Sequence, residues 1–210
     1  IFAAEGAFGQ YLICFRDFPV AIGITAGARE YLAADICLKY MKEAISEPCN
    51  EEQLEAAEKA LCAKLNSLSL VQPEGTFRTA RKEAAKLFDR KILFTENPRK
   101  VESVVFTKEG YRIKIEAVIN GEQKTLYASY KAWKRNNLYP DDFTKKYQSV
   151  AYAMDAEALY LSVGLINTSY KEEYSLWVNS EDKVIATWRP NVTYLPEEPD
   201  MVWKFTGTFE

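Results

Sequence analysis

Apolar and polar side chains alternate along two runs between residues 111 and 130, and Asn120-Gly121 separates the runs. Strict alternation marks a half-buried strand, and a two-residue Asn-Gly turn fixes the register of the strands beside it. The predicted hairpin sets Ile119 opposite Glu122, Ala117 opposite Lys124, Ile115 opposite Leu126, Ile113 opposite Ala128 and Tyr111 opposite Tyr130. Glu116 with Thr125, Lys114 with Tyr127 and Arg112 with Ser129 make the other face. Both strands independently choose the same apolar side, so the pairing is internally consistent.

Upstream the period is helical. Leu32, Ile36, Tyr40 and Ala44 form one stripe over 31–46, with Ala33, Cys37 and Met41 beside it. Pro48 ends that helix. Asn50 followed by Glu51, Glu52 and Gln53 supplies an Asx cap, acids against the helix dipole and a capping-box glutamine. Leu54, Ala57, Leu61, Leu65 and Leu68 carry the second stripe over 51–67. Thr76 caps a third predicted helix with Phe77, Ala80, Ala84, Leu87 and Phe88 on its apolar face. Before the helices, 8–24 reads as one or two strands.

Beyond Arg90 the period changes to two. Residues 91–95, 101–107, 150–154, 158–166, 173–179, 183–189 and 201–209 read as strands. Residues 131–148 interrupt them, with a short helix expected from Asp141-Asp142-Phe143. Helices followed by strands predict an α+β fold: about three N-terminal helices packed on a C-terminal antiparallel, aromatic-rich sheet or partial barrel. Residues 1–90 are then mainly helical and 91–210 mainly β, in two domains or one.

Composition changes this picture in three ways. The 210 residues carry a net charge of −3, which favours neither nucleic acid nor an anionic membrane as partner. Lys131, Lys134, Arg135, Lys145 and Lys146 cluster around Trp133, but Asp141 and Asp142 interrupt the cluster, and a solvated basic face is the simpler reading. No apolar run approaches the ~20 residues of a spanning helix, so no transmembrane segment is expected. The sequence starts at Ile1 without a methionine and shows no charged-then-apolar leader, a start that removal of a signal peptide or trimming of the chain would equally produce.

The cysteines are the second element. Cys14, Cys37, Cys49 and Cys62 all lie in the first third. In a helical hairpin turning at 48–50, Cys37 and Cys62 are equally far from the turn, which predicts one disulfide between them and leaves Cys14 for Cys49. That pairing implies a secreted or periplasmic protein; four reduced cysteines would imply a cytoplasmic one. Asn167-Thr168-Ser169 and Asn191-Val192-Thr193 match glycosylation acceptors at the frequency chance supplies and add little.

Third, the chain has no histidine. Serine-histidine and cysteine-histidine nucleophiles, histidine bases and ordinary zinc enzymes are thereby excluded. Gly23-Ile24-Thr25-Ala26-Gly27 has the outline of a nucleophile elbow, yet its threonine lacks a base; as an anion site with Arg29 it lacks the lysine of a P-loop. Tyr130 and Lys134 have a dehydrogenase spacing without the glycine-rich loop that chemistry needs. There is no Cys-x-x-Cys pair and no calcium loop, so neither a metal nor a cofactor is expected. Only paired carboxylates survive as a catalytic option, with Glu116, Asp155 and Glu157 as candidates against a sugar.

All four tryptophans and ten of the thirteen tyrosines follow Arg90, which concentrates candidate contact area on the sheet. The reading is therefore a non-catalytic, secreted or periplasmic binding protein. A small molecule or glycan would lie against Tyr127, Trp133, Trp177 and Trp188. A protein-interaction module of inhibitor or adhesion type is the alternative, and a carboxylate glycoside hydrolase stands third.

Overall fold

The structure is a computed structural model that describes residues 1–28, 32–46, 50–76, 80, 82–139, 141–143, 146–192 and 201–210, with backbone alone at 32 and 33. The chain divides into two compact units, Ile1–Val71 and Gln72–Glu210. No described helix is long and apolar enough to cross a membrane.

In the first unit, β1 (Phe2–Gly6), β2 (Gln10–Cys14) and β3 (Ala21–Ile24) form an antiparallel sheet in that order. The range 8–24, expected to supply one or two strands, holds β2 and β3, and β1 precedes it. The Gln10 side-chain amide donates to the Ala26 carbonyl and ties the chain beyond β3 back to β2. Two helices follow, α1 (Leu32–Ser46) and α2 (Glu51–Ser67). The predicted capping box is complete: Asn50 Oδ1 accepts from the Gln53 N–H at 2.9 Å, and Gln53 Oε1 accepts from the Asn50 N–H at 3.1 Å. Residues 29–31 lie outside the described residues, so the proposed anion loop ends without a described helix start.

The expected disulfide is corrected. Cys37 is half-buried on α1, Cys62 is exposed on α2, and both are free thiols, as is Cys14; Cys49 lies outside the described residues. Equal distance from a turn matches two residues in height along their helices, but a disulfide also needs the Cβ atoms to face each other, and the spacing does not fix that rotation. The argument for an oxidising compartment loses its basis with the bond.

The third helix is also shorter than its pattern predicts. α3 is the single turn Lys82–Ala85, and Phe77 lies outside the described residues. Phe88 leaves the helical path to bridge to Phe106, and the Asp89 N–H donates to the Phe106 carbonyl at 2.9 Å. Pairing with the sheet has overridden a helical apolar stripe, as tertiary context commonly does.

Nine strands of the second unit close into a ring: β4 (Lys91–Phe94), β5 (Val101–Glu109), β6 (Arg112–Ile119), β7 (Glu122–Tyr130), β9 (Tyr147–Met154), β10 (Ala158–Leu165), β11 (Lys171–Val178), β12 (Val184–Pro190) and β13 (Trp203–Phe209), which returns to β4. β8 (Lys134–Asn137) flanks β9 outside the ring, in the segment expected to hold a short helix; Asp141 and Phe143 there are turn residues. The predicted β6–β7 register is realised in eight pairs from Arg112↔Ser129 to Ile119↔Glu122, with Asn120 and Gly121 at φ 52° and 77°. Tyr111 stays in the preceding turn, outside the ladder.

All neighbours in the ring are antiparallel except β7 and β9, which meet in parallel at Ser129↔Ala151 and Tyr130↔Tyr152. That seam is short, and a buried side chain extends it. Asn136 Oδ1 accepts from the Tyr127 N–H at 2.7 Å while its Nδ2 donates to the Tyr127 carbonyl at 3.0 Å, so one amide replaces a rung between β7 and β8.

Closure turns one face of every strand inward. Tyr152, Phe106, Leu87, Ile92, Ile113, Met154, Leu159 and Val184 are almost wholly buried. At the end of the barrel where β9 finishes and β10 begins, α3 and the turn after it bury Ala84 and Leu87, and the Ala84 N–H donates to the Ala156 carbonyl at 3.3 Å. Gly75 passes so close to β9 that an added Cβ would lie 2.8 Å from the Met154 carbonyl oxygen. This end is filled. The other end is not.

Candidate functional site

Toward the opposite end the inward side chains leave a cavity of about 130 Å³. Its wall is mostly hydrocarbon: Val104, Ile115, Ala117, Leu126, Leu161, Val163 and Phe205 among others. A water takes roughly 10–15 Å³ on this measure and about 30 Å³ of liquid, so the space matches on the order of ten waters, or about 300 Å³ of ligand. That lies at the lower limit of ordinary small-molecule pockets, about 300–1,000 Å³. The apolar face of the β6–β7 hairpin is thus one part of the cavity wall, through Ile115, Ala117, Ile119 and Leu126.

The cavity's polar side chains come from three places. Arg99, in the loop between β4 and β5, forms an ion pair with Glu172 of β11 at 3.1 Å and donates from Nε to the Tyr174 hydroxyl oxygen at 3.3 Å. The Tyr174 hydroxyl donates to Glu172 Oε2 at 2.7 Å, which closes the triad. Burial opposes the Arg99 charge, but Tyr174 and Glu172 outweigh it and hold the guanidinium above its usual range. Burial, then the Glu172 charge, pushes the Tyr174 hydroxyl far above the usual phenol range, so it stays a neutral donor. The Arg99 guanidinium also lies 5.3 Å from the Trp188 ring, a cation–π distance.

Gln148 of β9 and Tyr139 complete the polar lining. Gln148 shares its inward face with Val150 and Tyr152 and is only 7 % exposed. The Lys124 ammonium sits 4.4 Å from the Tyr139 ring.

The four aromatic residues expected to form one surface are dispersed. Tyr127 points outward from β7, between the inward Leu126 and Ala128. Trp133 is half-buried just before β8. Trp177 points outward from β11, with Lys204 Nζ 5.9 Å from its ring. Trp188 alone faces inward, beside the triad, where it packs on Trp203 with ring centroids 4.4 Å apart and sits opposite Tyr174. Its indole N–H is buried without a partner among the described residues.

The candidate catalytic carboxylates are also placed elsewhere. Glu116 projects outward and pairs with Lys114 at 2.9 Å. Asp155 closes a turn, accepting from the N–H groups of Glu157 and Ala158 at 2.8 and 2.7 Å and from the Tyr160 hydroxyl at 2.6 Å; Glu157 is exposed. Among the described residues Glu172 is the one carboxylate in the cavity wall, and no cluster of cysteine and carboxylate side chains is arranged to hold a metal.

Sequence reading passed over Arg99, Gln148, Glu172 and Tyr174. A signal existed for two of them. Gln148 and Glu172 interrupt the apolar sides of their strands, as polar residues at positions where alternation demands hydrocarbon. Arg99 sits in a loop and gives no such sign.

No protein-family profile matches the chain, and no curated protein matches it. Solved structures with some likeness include apo lipid binding protein 8 of Caenorhabditis elegans, with a TM-score of 0.47 and 7 % identity over 62 % of this chain and 100 % of that one. The fatty-acid-binding protein of Manduca sexta gives 0.43 and 10 % over 58 % and 98 %. The REP1-NXSQ fatty acid transporter gives 0.44 and 12 % over 60 % and 97 %. Likenesses of this strength leave the cavity's own chemistry as the basis for a functional reading.

Proposed function

We propose that the unit Gln72–Glu210 binds one small, largely apolar molecule inside its barrel, without chemical conversion. One observation carries this reading: a closed ring of strands filled at one end and lined with hydrocarbon around open space at the other. A barrel built for stability alone would fill that space with side chains, since interiors otherwise pack at crystal-like density. The sole cavity carboxylate among the described residues is engaged by Arg99 and Tyr174, which favours binding over hydrolysis. Trp177 and Trp188 lie on opposite faces of adjacent strands, so the aromatic platform for a glycan loses its support.

The test is to fill the space. Ala117 lines the cavity, and Ala117→Phe projects a ring into it. Calorimetric titration of the full chain with decanol is expected to show binding that this variant weakens at least about tenfold, with overpacking costing about 1–3 kcal/mol of stability. Undiminished decanol binding by a folded Ala117→Phe protein would place the site elsewhere.

A further inference from the structure

Two features of the wall bear on what a ligand must look like. The only full charges there among the described residues, Arg99 and Glu172, cancel each other across 3.1 Å, and Tyr174 spends its hydroxyl proton on Glu172. Gln148 is the reverse case. More than nine-tenths buried, on the inward face of β9, its side-chain amide has no hydrogen-bond partner among the described residues. Its backbone carbonyl, by contrast, is engaged by Asn136. Among the described residues the buried polar side-chain atom left without a partner is the Trp188 indole nitrogen, so the Gln148 amide is not sealed off: it borders the open space of the cavity, where a ligand or water supplies its partner.

We infer that the cavity takes an uncharged amphiphile, with hydrocarbon against the apolar wall and one hydroxyl, carbonyl or amide group exchanging hydrogen bonds with Gln148. This rests on the reading of the cavity as a ligand site and narrows it. An ionised carboxylate is disfavoured on two counts. It enters a low-dielectric space whose one cation is already neutralised, and it stands near the Glu172 carboxylate. Displacing Glu172 from Arg99 would strand a buried anion instead. A hydroxyl or carbonyl meets neither obstacle, and an amide side chain both donates to it and accepts from it.

The experiment compares decanol with decanoate on the full chain at pH 7, where decanoate is ionised. Wild-type protein should bind decanol at least about tenfold more tightly than decanoate. Gln148→Leu keeps the volume and removes the amide; it should weaken decanol about three- to tenfold, the worth of one hydrogen bond, and leave decanoate little changed. Decanoate binding as tightly as decanol, or decanol binding indifferent to Gln148→Leu, overturns the inference while the cavity reading stands. Failure of both ligands to bind the wild type overturns that reading, and the inference falls with it. Should Gln148→Leu not fold, the wild-type pair still decides.

Discussion

The two units hold similar kinds of apolar side chain and treat them in opposite ways. Among the described residues, the first unit buries one hydrophobic side chain, Ile13, while the second buries all the others, from Ala84 to Phe205. Twelve of the seventeen exposed large hydrophobics belong to the first unit, among them Leu54, Leu61 and Leu65 on one stripe of α2 and Leu68 at its C-cap. No residue of α2 is buried. An apolar stripe therefore states what a helix would cover, not that it is covered. In the barrel each strand's inward face is covered by the strands across the ring, and closure itself makes the core.

The largest expected effect exploits that contrast directly. Leu159→Ala, at a wholly buried position of β10, should cost about 2–5 kcal/mol in denaturant unfolding. A loss below about 1 kcal/mol would mean that the barrel is less packed than its burial indicates. Next comes the β7–β8 clamp. Asn136→Ala strips two hydrogen bonds from Tyr127 and should cost about 1–3 kcal/mol, with amide exchange quickened first at Tyr127.

A smaller effect depends on pH. Burial works against the Asp155 charge, but the bonds from Tyr160, Ala158 and Glu157 prevail and hold its pKa below the usual carboxylate value. A depressed folded pKa contributes stability that is present above about pH 4 and is lost as pH falls through the folded value. Tyr160 is the mirror case: burial, then its bond to Asp155, pushes it up to about 12. Its contribution is present below about pH 10 and lost as pH rises through the folded value. Melting temperatures followed across pH should show both losses in the wild type. Asp155→Asn should flatten the acid limb and Tyr160→Phe the alkaline one.

The smallest change is predicted for the first unit. Leu61→Ala, on the exposed stripe of α2, should leave the stability of the barrel within about 0.5 kcal/mol of wild type. A loss approaching that of Leu159→Ala would show that the stripe is covered in solution and would erase the contrast between the units.

What the sequence disclosed follows the range of the interactions involved. The β6–β7 register and the Asn50–Gln53 capping box were legible because a turn or a cap is decided by residues a few positions apart. α1 and α2 followed from their period. α3 was overestimated because the bridge from Phe88 to Phe106 lies across eighteen positions of sequence, beyond the reach of a stripe. The cavity was not legible for the same reason: Arg99, Gln148 and Glu172 come together only through the order of strands around the ring. Counting aromatics gave a region of the chain but not a face, because alternation puts Tyr127 and Trp177 outside and Trp188 inside.

The central claim is that hydrocarbon is received inside the barrel and not on the exposed stripe of α2. Methyl-resolved nuclear magnetic resonance of the full chain during decanol titration tests it most directly. Saturable shifts are expected at Ile115, Leu126, Leu161 and Val163, with Leu54, Leu61 and Leu65 unmoved. Shifts confined to the α2 leucines, with the barrel methyls silent, would contradict the account.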